Sequence, residues 1–434
     1  MDKMADVLGR AGAWCGQNKY LSAIKNAFQN FMPLTIAGAI GVLWCNVLVN
    51  DQTGLGLFFK PIMALDFLNP AFQAVNFCTI SCITVGITLG IAQEIGVWNM
   101  GAEKAGYIPG LVGLAAWLSV TNTSHMVEGA KEAFTGIAGN ELGATGLFTG
   151  MIIGILSVEL FCFFEKQDAL KIKMPEQVPP GVARAFEVLV PATITLIITA
   201  CIGSACYNLT GLYLNDVIKN GIQGPLGAVG ATIPGVMIIY LVIMLFWLVG
   251  IHGNNMLSAV KEALFTPLAL ENVEAFNKGE TPKNIINMYF LQMCGEFGGS
   301  GVTIGLVIAI MIFGKREDNK AIATLSLVPG LFNINETVTF GIPMVLNPIL
   351  GIPFVFACLV TILVGYVLTV IGFCPVACLT VPWTTPPIVF GFLATGANVM
   401  GAVTQAILIV VSTVIYVPFL IAYEKYQNKQ AAEA

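Results

Sequence analysis

The amino-acid sequence predicts an all-α polytopic membrane protein of about ten transmembrane helices, with two re-entrant hairpins in its second half. Three observations carry that prediction. Of 434 residues, 56% are hydrophobic and only 10% are charged, against about 25% charged in an ordinary soluble domain. Apolar stretches recur from Pro33 to Tyr423, and several reach the ~20 residues that a helix needs to cross the hydrocarbon layer. In the second half those stretches are interrupted by Pro329, Gly330, Pro343 and Pro348, and again by Pro375, Pro382, Pro386 and Pro387. Such backbone is tolerated at membrane depth only inside protein or around a water-filled cavity.

The elements follow in order. Residues 1–32 lack the continuous apolar core of a cleavable signal. Leu8, Ala11, Trp14, Cys15, Leu21, Ile24 and Phe28 recur at near-helical spacing, which predicts an amphipathic helix on the cytoplasmic surface of the lipid. Residues 33–208 hold five spans, near 33–50, 77–95, 106–120, 144–164 and 187–208, read as a five-helix domain. The loop 165–186 carries Lys166, Lys171, Lys173 and Arg184 and is therefore cytoplasmic by the positive-inside rule. Residues 209–234 read as an interfacial amphipathic linker. Residues 235–424 form the transport domain, with apolar runs at 235–251 and 285–314 on either side of a polar stretch, 253–284. The charged cluster 315–320 is cytoplasmic only if an odd number of crossings separates it from residue 209, so at least one of those two runs must be re-entrant, broken or long enough to be counted twice. Simple spans follow at 351–374 and 400–423, and the tail 425–434 returns to the cytoplasm with Lys425 and Lys429.

Several functional classes fall away. A net charge of −5 with no basic stripe argues against nucleic acid. No phosphate-binding glycine loop or HExxH pair is present, so neither ATP hydrolysis nor a metal or other cofactor is expected. Of the eleven cysteines, Cys45, Cys78, Cys82, Cys162, Cys201 and Cys358 lie in apolar runs without metal-ligand spacing and read as small buried hydrophobes.

Two ionisable residues stand out. An intramembrane carboxylate costs at least ~2.5–3.5 kcal/mol, which makes Glu336 in FNINETVTFGIP a functional candidate together with its neighbours Asn333 and Asn335. The competing reading is an Asn-rich turn. His252 in FWLVGIHGNNM is bracketed by Gly250 and Gly253, which admit close approach of backbone or ligand; the competing reading is a core histidine on a carbonyl. Asn254 follows within reach. Glu296, before Gly298-Gly299-Ser300-Gly301, is either a second polar anchor or a helix end. The glycine run either packs closely or unwinds. Trp247 and Trp383 suit stacking on a pyranose ring or a bilayer interface, with Trp383 in PWTTP the better platform, and Asn140 adds a hydroxyl contact.

The segments LSAIKNAFQNFMPLTIAGAI, VPPGVARAFEVLVPA, FWLVGIHG, GGSGVTIGLVIAI, FNINETVTFGIPMVLNP and TVPWTTP resemble, in order and spacing, the membrane IIC component of the bacterial phosphotransferase system. The resemblance is to its lactose/cellobiose branch, and most of all to the cellobiose and N,N′-diacetylchitobiose permeases. It implies a homodimer in the bacterial inner membrane with both termini cytoplasmic, residues 33–208 serving as its five-helix dimerisation domain. It also implies a β-linked disaccharide held between re-entrant hairpins, its 6-hydroxyl at His252 and Glu336. A separate phosphocysteine-bearing IIB protein would phosphorylate that hydroxyl, supplied in turn by IIA, HPr and enzyme I, and would dock near 165–186 and 315–320. One departure is visible: threonine follows the glutamate where many relatives have proline. The alternatives are a proton-coupled secondary sugar transporter using the same His and Glu, and a membrane enzyme or sensor that binds sugar without moving it.

Overall fold

The computed structural model describes residues 10, 13–14, 17–51, 55–125, 134–175, 177–342 and 344–433. Most of the expected surface helix before residue 17 therefore lies outside the described residues. The chain divides into two compact units, one of residues 17–38 and 74–227, the other of 39–73 and 228–434.

In the first unit, helix α1 (Lys19–Leu43) runs unbroken through Pro33. No backbone break thus marks residue 32, where a surface helix was expected to end. Proline removes the ladder N–H that would bond the Gln29 carbonyl, yet the helix continues, and one turn on the Thr35 hydroxyl bonds the Met32 carbonyl at 2.8 Å. Helices α2 (Ile83–Met100), α3 (Ile108–Val120), α4 (Ala144–Glu165) and α5 (Pro180–Thr210) complete the bundle. Small residues set their approach: a Cβ added to Gly154 would sit 3.1 Å from the Thr88 carbonyl, so α2 and α4 meet at nearly backbone distance. Trp117, Ala116, Val120 and Ile153 fill the core. At one end, buried Glu165 is held by Lys104 at 2.9 Å and Arg184 at 3.0 Å, and Glu159 pairs with Lys19 at 2.6 Å. Glu159 is thus a structural charge. Between α4 and α5 the described residues of the proline-rich loop hold only the short 3-10 turn Asp168–Leu170 before helix resumes at Pro180. The only strands among the described residues are the two-residue pair Ser124–His125 and Phe134–Thr135.

The second unit is built from α6 (Ile233–Leu248), α7 (Ser258–Asn277), α8 (Met288–Gly295), α9 (Ile304–Phe313), α10 (Glu317–Leu331), α11 (Glu336–Gly341), α12 (Gly351–Val370), α13 (Val389–Ala394) and α14 (Val399–Glu433). The long apolar run 285–314 is broken into α8 and α9. The polar stretch 253–284 is mostly the helix α7. Among the described residues, five helices are long and apolar enough to span a bilayer, a sixth if Lys60–Ser81 and Ile83–Met100 form one bent crossing, and α3, α6 and α9 are shorter apolar helices.

Because the second unit is interrupted so often, its freed backbone groups need side-chain partners. Buried Asn272 and Asn287 each donate to the Ala377 carbonyl at 3.0 Å. Gln405 on α14 accepts from the Ile388 and Gly391 amides at 2.8 and 2.7 Å and donates to the Met293 carbonyl. At its charged end, Glu424 accepts from the Lys315 and Arg316 amides at 2.9 and 3.3 Å and from the Asn319 side chain. Nearby, the hydrogen-bonded Arg316 guanidinium holds the exposed Asp318 carboxyl below its ordinary range. Cys162 and Cys358 are buried as expected, but Cys78 and Cys201 are exposed; in a membrane protein an apolar run supplies the outer surface as well as the core.

Candidate functional site

The site forms where the breaks of the second unit meet. Helix α6 ends at Leu248, Gly250 takes φ +81°, and His252 begins the short turn Gly253–Met256. The Asn255 backbone N–H donates to His252 Nδ1 at 3.2 Å. A neutral imidazole therefore carries its proton on Nε2. That nitrogen lies 3.9 Å from Glu336 Oε1, and both side chains are partly exposed. Glu336 opens α11. The gap is too long for a direct hydrogen bond. An oxygen about 2.8 Å from each atom would fit between them, subtending about 90°, acceptable for a hydroxyl that donates to the carboxylate and accepts from the imidazole.

The glycine run settles one sequence alternative: it unwinds. Gly298, Gly299 and Gly301 have φ of +68°, +89° and +75°, and Val302 joins them at +49°. Asn333, at the turn before α11, accepts from the Gly298 amide at 2.6 Å and donates to the carbonyls of Trp383 and Thr385. Buried Asn335 donates to the Ser300 carbonyl at 2.8 Å, and Asn254 donates to the Ser300 hydroxyl at 3.1 Å. A Cβ on Gly299 would stand 2.6 Å from that of Asn335. Gly299→Ala is accordingly expected to destabilise the protein by more than ~1 kcal/mol in thermal unfolding. Gly181→Ala, where a Cβ meets nothing within 4 Å, should stay within ~0.5 kcal/mol.

Of the residues singled out by sequence, His252, Gly253, Asn254, Asn333, Asn335, Glu336 and Trp383 are linked through this network. Trp383 is 44% exposed and keeps an open ring. Trp247 departs from expectation: it is only 2% exposed, its ring lies 4.4 Å from that of His252 and edge-on to Phe354, and it underpins the imidazole without offering a face. Gly253 makes room for the backbone of α6, since its Cβ would lie 2.8 Å from the Ile243 carbonyl carbon. Glu296 is already engaged, accepting from the Tyr240 hydroxyl at 2.7 Å and paired with Lys261. Lys261 and Tyr240 are the residues sequence reading missed. Trp247 Nε1, Asn254 Oδ1 and the Thr339 hydroxyl, one turn beyond Glu336, are buried without a protein partner. The backbone of Asn140 sits in the turn Gly139–Leu142 of the other unit, and its side chain lies outside what is described.

The chain matches the family described as "Phosphotransferase system, EIIC" over residues 25–358. It is 34% identical to the oligo-beta-mannoside-specific EIIC component of Bacillus subtilis (strain 168), covering 98% of this chain and 94% of that one. The lactose-specific EIICB component of Staphylococcus aureus (strain COL) is 32% identical over 94% of this chain but only 69% of its own length. Among solved structures, the transporter ChbC, the IIC component of the N,N′-diacetylchitobiose-specific phosphotransferase system, superposes with a TM-score of 0.88 at 29% identity, covering 97% of each chain. Broken apolar helices, the NINE turn and these likenesses along the whole chain agree, and the protein belongs to the EIIC family of phosphotransferase-system membrane components.

Proposed function

We propose that the chain carries a β-linked disaccharide, diacetylchitobiose or cellobiose, across the bacterial inner membrane as a homodimer with cytoplasmic termini, and presents the sugar's 6-hydroxyl to a separate phosphorylated IIB protein. The observation that carries this reading is the 3.9 Å gap between His252 Nε2 and Glu336 Oε1, which suits one bridging hydroxyl. In the transfer, the hydroxyl oxygen forms a bond to phosphorus as the phosphorus–sulfur bond of the IIB phosphocysteine breaks. Glu336 takes the hydroxyl proton, and the His252 Nε2–H stabilises the charge that develops on oxygen. Trp383 offers a ring for the sugar's apolar face. The names of the mannoside, lactose and diacetylchitobiose relatives support a disaccharide. The EIICB name of the lactose relative supports a IIB step, with IIA, HPr and enzyme I upstream.

Titration of purified protein with diacetylchitobiose, cellobiose and lactose should show saturable binding of at least one, and vesicle uptake should need phosphoenolpyruvate and the soluble components and deliver sugar phosphate. Unmodified sugar accumulating in step with a proton gradient would instead make His252 and Glu336 a proton relay, the secondary-transporter reading.

A further inference from the structure

Three chain breaks meet at the site: the glycine loop 296–303, the turn 332–335 and the loop 382–388. One side chain touches all three. The Asn333 carbonyl oxygen accepts the Gly298 amide, while its two N–H groups are both engaged, one by the Trp383 carbonyl and one by the Thr385 carbonyl. A carboxamide has only two such hydrogens, so Asn333 has no donor left for a sugar. Its backbone takes φ +64°, a conformation that asparagine adopts more readily than most residues. Each group it bonds is a backbone atom that the broken helices leave without a ladder partner.

We infer that Asn333 is a positioning residue: its amide ties the glycine loop and the Trp383 loop to the turn that bears Glu336, fixing the stacking ring against the carboxylate. The tie works in two separable halves. Its oxygen holds the glycine loop, and its nitrogen holds the Trp383 loop. Asn333→Asp keeps the oxygen for Gly298 and sets a second oxygen against two carbonyls. Asn333→Gly removes both halves while allowing the positive φ.

The role in sugar alignment rests on the proposed function, whereas the tie itself does not, and two measurements keep them apart. Hydrogen exchange on the whole protein should show Asn333→Asp loosening 382–388 by about tenfold with 296–303 unchanged, and Asn333→Gly loosening both, each in a local opening that leaves the rest of the fold protected. Exchange in 382–388 that matches wild type in both variants would overturn the tie, whatever the sugar result. In a binding cycle, Asn333→Asp should weaken disaccharide affinity about tenfold in the wild-type background and less than about twofold alongside Trp383→Ala, since residues that act through one another are not additive. Equal losses in both backgrounds would overturn the positioning role. A wild-type protein that binds no sugar, with the exchange pattern as stated, would overturn the proposed function and leave the tie standing.

Discussion

Glu336→Gln is expected to lower phosphoryl transfer to bound sugar by about 10²–10⁴-fold, the range for removing a positioned general base. The substitution is nearly isosteric and the side chain is about half exposed, so the fold should persist and thermal stability should change little. What changes is proton chemistry. A carboxylate accepts the hydroxyl proton as oxygen attacks phosphorus, whereas an amide has no comparable basicity and turns an N–H toward the same oxygen or toward His252. The measurement is sugar-phosphate formation with phosphorylated IIB protein at saturating sugar. A rate within about threefold of wild type would remove Glu336 from the chemistry and return FNINETV to an Asn-rich turn.

Lys261→Met should destabilise the protein by about 3–5 kcal/mol, the cost of leaving one member of a buried ion pair uncompensated. The two side chains are only 8% and 17% exposed, and the Tyr240 hydroxyl alone remains to satisfy Glu296. The double variant Lys261→Met, Glu296→Gln should recover most of the loss, because a neutral amide can still accept from Tyr240 and no charge is stranded. Thermal unfolding in detergent of the single and double variants checks both statements. Equal melting temperatures for Lys261→Met and wild type would mean that Glu296 is solvated or protonated in the folded protein.

The same pair shows why part of the site was not legible in the sequence. Breaks announce themselves locally: glycine and proline inside apolar runs marked 298–301, 329–336 and 382–387, and an isolated carboxylate and imidazole in such surroundings marked Glu336 and His252. Lys261 has no such signature. It sits in a stretch read only as polar, in which α7 is a helix whose polar side chains are satisfied by groups distant in sequence: Lys261 by Glu296, 35 residues away, and Asn272 by the Ala377 carbonyl, 105 away. Periodicity cannot report a polar face whose partner is another broken segment. Trp247 illustrates the converse. Its residue type suggested a sugar platform, but whether an indole shows its face or its edge is fixed by the turn at Gly250, which folds His252 back onto the ring. The continuity of α1 through Pro33 was not legible because the change from mixed to apolar composition there marks a change of surroundings and not the end of a helix.

The contact of Glu424 with the Lys315 and Arg316 amides has a practical side. An affinity handle appended after Gln430 leaves that carboxylate in register, whereas an expression clone trimmed to end before Glu424 would strip two backbone donors of their acceptor at the entry to α10. Engineering of the carboxyl end should therefore begin in the final turns of α14 and keep Glu424 intact.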